Sequence, residues 1–238
     1  MTRTEPATDI SSAEWIVSGL QGFAESVLSL VPPGFTSYVR IFHPAYRRDG
    51  DQLVCVRWSE IAAANGREYH AAMQLPSLTG SWDSYTSGRP GVFDSPPRDG
   101  SLPEELIAPL SELLAAHTGT EDRAWFAFWE GFGAIRPEVA AAPRFETIGR
   151  KYHLLGGPVS AASESGETTP WHQSPNLWWP EDHAWCVATE IDLNTTYVGC
   201  SEQAAVAIVG QDALEALEVD PAAGIAFDSD ERNPKTSH

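Results

Sequence analysis

The hexapeptide AWFAFW, residues 124–129, is apolar at every position. Successive side chains of a strand point to opposite faces, so a strand without a polar position has no face to give to water. This stretch therefore predicts a central strand covered on both sides. The rest of the chain must supply a sheet around it and material to cover both faces.

Candidates for the sheet follow from period-2 patterning and β-branched or aromatic content. They are Phe35–Phe42, Leu53–Arg57, Tyr152–Leu155, His183–Ile191 and Thr195–Cys200. The best helix signal starts at Ser101, with Glu104 at capping-box spacing and Pro103 between them. Leu106, Ile107, Leu110, Leu113 and Leu114 then line one face, and Gly119 stops the helix. A short helix EIAAAN ends at Gly66, an extended or short helical piece surrounds Trp15–Val17, and another helix is expected from about Gly22 to Leu30. A further helical stretch runs from Glu202 to Leu217. Residues 74–102 and 159–170 read as loops, the second a mobile one rich in Ser, Thr, Glu and Gly. Paired strands separated by helices argue against regular βαβ winding. The expectation is one α+β domain over residues 13–227, a single domain with a mixed, largely antiparallel sheet and helices packed on it. Residues 1–12 read as a disordered tail and 228–238 as a polar C-terminal tail.

LWWPEDHAWCVATEIDLNTTYVG, residues 177–199, holds three of the nine tryptophans. Alternation sends Trp185, Val187, Thr189 and Ile191 one way, to be buried against the helix Leu106–Leu114. It sends Cys186, Ala188, Glu190 and Asp192 the other way. A two-residue turn at Leu193-Asn194 would set Glu190 opposite Tyr197, giving a polar floor near Trp178 or Trp179. Pro180 holds Trp179 extended, so the Trp178 and Trp179 side chains should diverge, one into the core and one to a lid or edge. Trp171 and His172 precede this segment. Together Trp171, His172, Trp178, Trp179, Glu190, Asp192 and Tyr197 are the candidate ligand- or partner-binding residues, because tryptophan combines a large apolar area with an indole N–H that needs a partner.

Charge narrows the partners. Fifteen Lys and Arg stand against 33 Asp and Glu, for a formal net charge of -18. Binding to phosphate backbones or anionic lipid depends on basic side chains, so no nucleic-acid or membrane partner is expected. The acidic surplus is spread along the chain and reads as a solubility device; mimicry of nucleic acid would need carboxylates aligned on one face. Residues 1–12 lack the apolar core of a signal peptide, and the expected location is cytoplasmic. Cys55, Cys186 and Cys200 show neither CxxC spacing nor an even count, which argues against a disulfide framework and a thiolate metal site.

Motifs for catalysis are missing: there is no GxSxG, HExxH or GxxxxGK[ST], and Gly131-Phe132-Gly133 lacks the third glycine of a dinucleotide loop. No two internal histidines are spaced as a local metal pair; a site gathered from His153, His172 and Glu190 is the open alternative. Arg40 and His43 close the first strand, where sheets often place sites. No cofactor is expected.

The phrases SYVRIFHPA, VRWSEIAAANG, RKYHLLGGP and LWWPEDHAWCVATEIDLNTTYVG resemble a family of uncharacterised actinobacterial proteins. The resemblance spans nearly the whole chain and implies one folding unit; it brings no activity and no functional residue with it. From the residues, two functions are expected. One is a non-catalytic binding or regulatory domain with an aromatic-lined groove for an unknown small molecule or protein. The other is a small-molecule enzyme, a metal-assisted hydrolase using Glu190 and Asp192 with His153 or His172.

Overall fold

A computed structural model describes residues 3–168 and 172–234. AWFAFW is strand β5 (Ala124–Trp129), and it lies in the middle of a nine-stranded sheet. In chain order the other strands are β1 (Glu5–Pro6), β2 (Ser37–Phe42), β6 (Arg144–Thr147), β7 (Arg150–Gly157), β8 (Leu177–Pro180), β9 (Cys186–Ala188), β10 (Thr195–Cys200) and β11 (Ala216–Glu218). The spatial order is β1-β7-β5-β8-β9-β10-β2-β11, with β6 paired to β7. Every pairing among these strands is antiparallel. A separate hairpin pairs β3 (Ala45–Asp49) with β4 (Gln52–Val56). The helices are α1 (Glu14–Gly19), α2 (Trp58–Asn65), α3 (Leu75–Thr79), α4 (Glu104–Ala115), α5 (Pro137–Ala140) and α6 (Glu202–Val209). The fold is α+β, with helices packed on a largely antiparallel sheet.

Alternation along β5 divides the core. Phe126 and Phe128 point to one face, where Val39, Ile41, Leu155, Trp178, Trp185, Val187 and Val198 join them under α4 and α6. Leu106, Ile107, Leu110 and Leu114 of α4 supply the apolar stripe. The Trp185 indole N–H donates to the Leu114 carbonyl at 2.9 Å, beside the His117 N–H at 3.0 Å, and so ties this face of the sheet to the end of α4. Ala127, Leu154, Leu177, Trp179, Cys186, Ala188 and Tyr197 point to the opposite face. There the cover is irregular: α1, a short turn of 3₁₀ helix at Val27–Ser29, and the chain from Val219 to Ile225. A third cluster, around Phe42, Trp58 and Leu78, lies under the β3–β4 hairpin, α2 and α3.

Several sequence expectations are corrected. No helix spans Gly22–Leu30, because Gly22 (φ 67°) and Ala24 (φ 57°) are both left-handed and only Val27–Ser29 makes a turn. Ser101 does not cap α4; its hydroxyl accepts from the Ser174 N–H at 3.0 Å, and Pro103 starts the helix. The stretch after Glu202 stops at Val209 and then returns as β11 beside β2. Residues 159–163 form a buried 3₁₀ turn against α4 rather than a mobile loop. Both supposed tails are built in where they are described. Glu5–Pro6 pairs with β7, and Thr4 donates through its N–H (3.1 Å) and hydroxyl (2.8 Å) to Glu164. At the other end Asp230 and Asn233 are buried. Among the described residues no helix is long and apolar enough to cross a membrane.

Candidate functional site

The irregular cover leaves a space. A cavity of about 240 Å³ lies against the face that carries Leu177, Ala188 and Tyr152. Its floor is sheet. One wall is the segment from Leu20 to Leu30, and the other is Ile225–Phe227. Most of the lining is apolar; the polar residues in it are Ser29, Thr147, Arg150, Tyr152, Asn176, Thr189, Glu190 and Asp192, of which Arg150, Glu190 and Asp192 are joined to one another. A large apolar hollow with a few convergent polar groups is the usual form of a small-ligand site.

Local geometry explains how these groups meet. β6 and β7 form a tight hairpin, Thr147 opposite Arg150, across Ile148-Gly149. Gly149 has φ 79°, which favours glycine. A Cβ there would also stand 2.7 Å from the Phe23 ring. Arg150 and Tyr152 then share a face by alternation. Glu190 and Asp192 sit in the β9–β10 connection, where the Leu193 N–H closes a turn onto the Glu190 carbonyl at 3.1 Å.

Arg150 ties the two loops together. Its Nε donates to Glu190 Oε1 at 2.8 Å and its Nη2 to Asp192 Oδ2 at 2.8 Å. Glu190 Oε2 accepts the Asp192 N–H at 2.6 Å. The Phe23 ring lies over the guanidinium, 5.2 Å from centroid to Cζ. Glu190 is 13% exposed and Asp192 72%. Burial, and then the negative charge of Glu190, push the Tyr152 phenol up, so it stays protonated at neutral pH. Phe227 also lines a smaller hollow of about 160 Å³, which holds Asp99. Burial first and the charge of Asp192 second raise Asp99 to about 6.

The two walls are joined to each other. Val27 and Leu28 donate to the carbonyls of Ala223 and Pro221 at 3.2 and 3.3 Å. Further along, Asp230 anchors the C-terminal wall. It accepts from the Ser77 hydroxyl (2.6 Å), the Asn233 side chain (3.0 Å) and the N–H groups of Arg232 and Asn233. Burial raises its pKa, but these hydrogen bonds outweigh it and hold the carboxyl at about 2. His70 Nε2 lies 3.1 Å from its Oδ1.

The candidate residues scatter differently from the sequence expectation. Glu190 and Asp192 do line the cavity. Trp178 and Trp179 diverge, yet both are buried, one in each core face, so neither is a lid or edge. Tyr197 is buried on the same face as Ala188 and lies beneath the Arg40 guanidinium at 5.6 Å, outside the cavity lining. It pairs with Ala188, not Glu190. The register is shifted by two residues, which preserves the faces but lengthens the connection beyond the expected two-residue turn. Trp185, Val187 and Thr189 are buried as expected, whereas Ile191 is only half-buried in that connection. Trp171 lies outside the described residues. His172 is half-buried; its carbonyl accepts from Arg98, its Nε2 has no hydrogen-bond partner among the described residues, and burial lowers its pKa. His153 turns to the helix-covered face, 3.4 Å from the Ala142 carbonyl. Neither histidine lines the cavity with Glu190 and Asp192. Among the described residues no three His, Cys, Asp or Glu side chains converge as metal ligands.

Arg40 and His43 are buried. Arg40 donates to the carbonyls of Ala71 and Met73 at 3.0 and 2.7 Å. His43 Nδ1 donates to the Arg98 carbonyl (2.7 Å), leaving Nε2 to accept from the Thr196 hydroxyl (2.9 Å). Burial drops its pKa to about 4. A broad depression of about 390 Å³ between Trp15, Phe35 and Ser201 opens widely and has no carboxylate, Lys or Arg in its lining.

Arg150, Tyr152, Phe23 and Phe227 were missed in the sequence. Period 2 in RKYHLL does place Arg150 with Tyr152, but nothing local points that arginine at acids 40 and 42 residues away. No family model, curated protein or solved structure matches this chain, so the geometry is the sole guide to function.

Proposed function

We propose that the chain is a non-catalytic binding domain that takes a small molecule into the cavity between the sheet and its two irregular walls. The carrying observation is the make-up of that cavity: about 240 Å³ with a mostly apolar lining that also holds the linked charged group Arg150–Glu190–Asp192. Such a lining offers a ligand burial for one part and orientation for the other. The aromatic contribution comes from Phe23, Tyr152 and Phe227 in place of the tryptophans. A metal-assisted hydrolase built on Glu190 and Asp192 with His153 or His172 has no observation in its favour, since those histidines are elsewhere. The net charge of -18 supports a partner that is not a nucleic acid.

A small aromatic such as indole tests the reading, because apolar cavities of this kind admit such molecules. Titration followed by methyl NMR should shift Leu177, Ala188 and Leu193 together, and Ala188→Phe, which fills the floor, should abolish the shifts. Shifts scattered over the surface, or retained in Ala188→Phe, would remove the proposal.

A further inference from the structure

Resting on that cavity reading, we propose that the ligand is a cation: a protonated amine carried on a small apolar body. Three charged residues line the cavity, Glu190, Asp192 and Arg150, and together they leave one negative charge uncompensated. The guanidinium is already committed. Nε holds Glu190, Nη2 holds Asp192, and Nη1 reaches the Gly149 carbonyl at 3.3 Å. A ligand carboxylate would have to take Arg150 from Asp192. That would leave three carboxylates around one cation, with Asp99 close enough for the charge of Asp192 to raise its pKa. A second like charge at this spot would be repelled and an opposite one attracted, more strongly beside the mostly covered Glu190 than in open water. The sign of the charge therefore decides the ligand class.

Acceptors remain for an ammonium group. A carboxylate offers about four lone-pair sites. Glu190 uses one oxygen on Arg150 and the other on the Asp192 N–H, and Asp192 spends Oδ2 on Arg150 while its side chain stays 72% exposed. The rings of Phe23, Tyr152 and Phe227 line the same space, and aromatic faces favour cations as well as apolar groups. The Phe23–Arg150 stacking is that preference already expressed within the chain. The volume, about 240 Å³, is below the roughly 300 Å³ at which drug-sized pockets begin. It fits a body about the size of a single ring.

The experiment compares 2-phenylethylamine, 2-phenylethanol and 3-phenylpropanoate, three probes with one apolar body and different charge, titrated calorimetrically into the full chain at pH 7. The amine should bind about 10-fold or more tightly than the alcohol, and the carboxylate weakest. Glu190→Gln should cost the amine about 10-fold and the alcohol far less, so that their difference shrinks. Asp192→Asn, at an exposed turn position, should cost the amine several-fold. Equal binding of amine and alcohol, or tighter binding of the carboxylate, overturns the cation assignment while the cavity reading stands. If none of the three binds, the cavity reading falls and the cation assignment falls with it.

Discussion

The two faces of the sheet are covered by different kinds of structure, and the cavity lies under the less regular cover. On the face of Phe126 and Val187, α4 and α6 present rows of Leu, Ile and Ala, and side chains at helical spacing mesh with the pleat. On the face of Ala127 and Ala188, the cover is short turns and extended chain held to each other by backbone hydrogen bonds. Such segments bend to bury Ile16, Val31 and Ile225 but do not fill every gap, and the gap is the cavity. The lesson is that an interior apolar strand requires cover without dictating dense cover; the segment type decides that.

The largest expected effect sharpens the contrast. Trp185→Ala should cost about 4 kcal/mol in urea unfolding, since it empties a packed site and removes one of the hydrogen bonds to the Leu114 carbonyl. Ile225→Ala, beside an existing cavity, should cost at most half as much. Equal losses would mean that the two faces are packed alike, and the comparison would break.

Acid should separate the regions next. The folded pKa of His43 lies at about 4 against 6.5, so the unfolded chain binds the proton first and stability falls as pH drops from about 6.5 to 4. The loss amounts to about 3 kcal/mol. Asp99, beside the cavity, acts in the opposite sense. Its folded pKa, about 6, lies above the unfolded 3.8, so the folded chain binds that proton first and stability rises as pH falls through this window. Asp99→Asn should therefore steepen the acid loss. A shallower loss in urea titrations from pH 7 to 4 would reverse the assignment of the two groups.

A smaller effect concerns the C-terminal wall. Asp230→Asn should cost about 2 kcal/mol, because an amide meets the donors of Ser77 and Asn233 with one acceptor fewer. Its local signature should be faster amide exchange at residues 223–230, with β5 and α4 still protected. In the parent chain the same anchor fails as pH falls from about 4 through about 2, where the lowered carboxyl takes its proton. If exchange quickens uniformly across the sheet, the wall is not a separable unit and the cavity has no movable side.

Much of the layout was legible locally. AWFAFW became the interior strand, the Leu stripe became α4, and the faces of Trp185, Val187 and Val198 followed from period 2. The short strands β1, β6, β8 and β11 were not, since two to four residues give too little pattern to read. The candidate site was half legible. Glu190 and Asp192 stood out as acids beside a strand, but Trp178 and Trp179, conspicuous by residue type, proved to be core on opposite faces. Abundant apolar area is also what a core needs, so tryptophan clustering alone does not separate a groove from an interior.

What the sequence by itself determined is the set of properties that repeat along the chain: which stretches extend or coil, which side chains share a face, and a net charge of -18. Those depend on spacing and composition, and neighbouring residues fix them. The register of the 186–200 hairpin depended on distant chain. Its connection is held by the Asn176 amide on the Thr189 carbonyl at 3.0 Å and the Gly100 N–H on the Leu193 carbonyl at 2.9 Å. Gly100, at φ 73°, passes so close that a Cβ would stand 2.6 Å from the Ile191 carbonyl oxygen. The meeting of Arg150 with Glu190 and Asp192, and the hollow beneath Phe23, likewise arise where three separate segments close on one face. Hydrogen bonds and excluded volume act between whichever groups the fold brings within a few ångströms, so only the tertiary structure decided them.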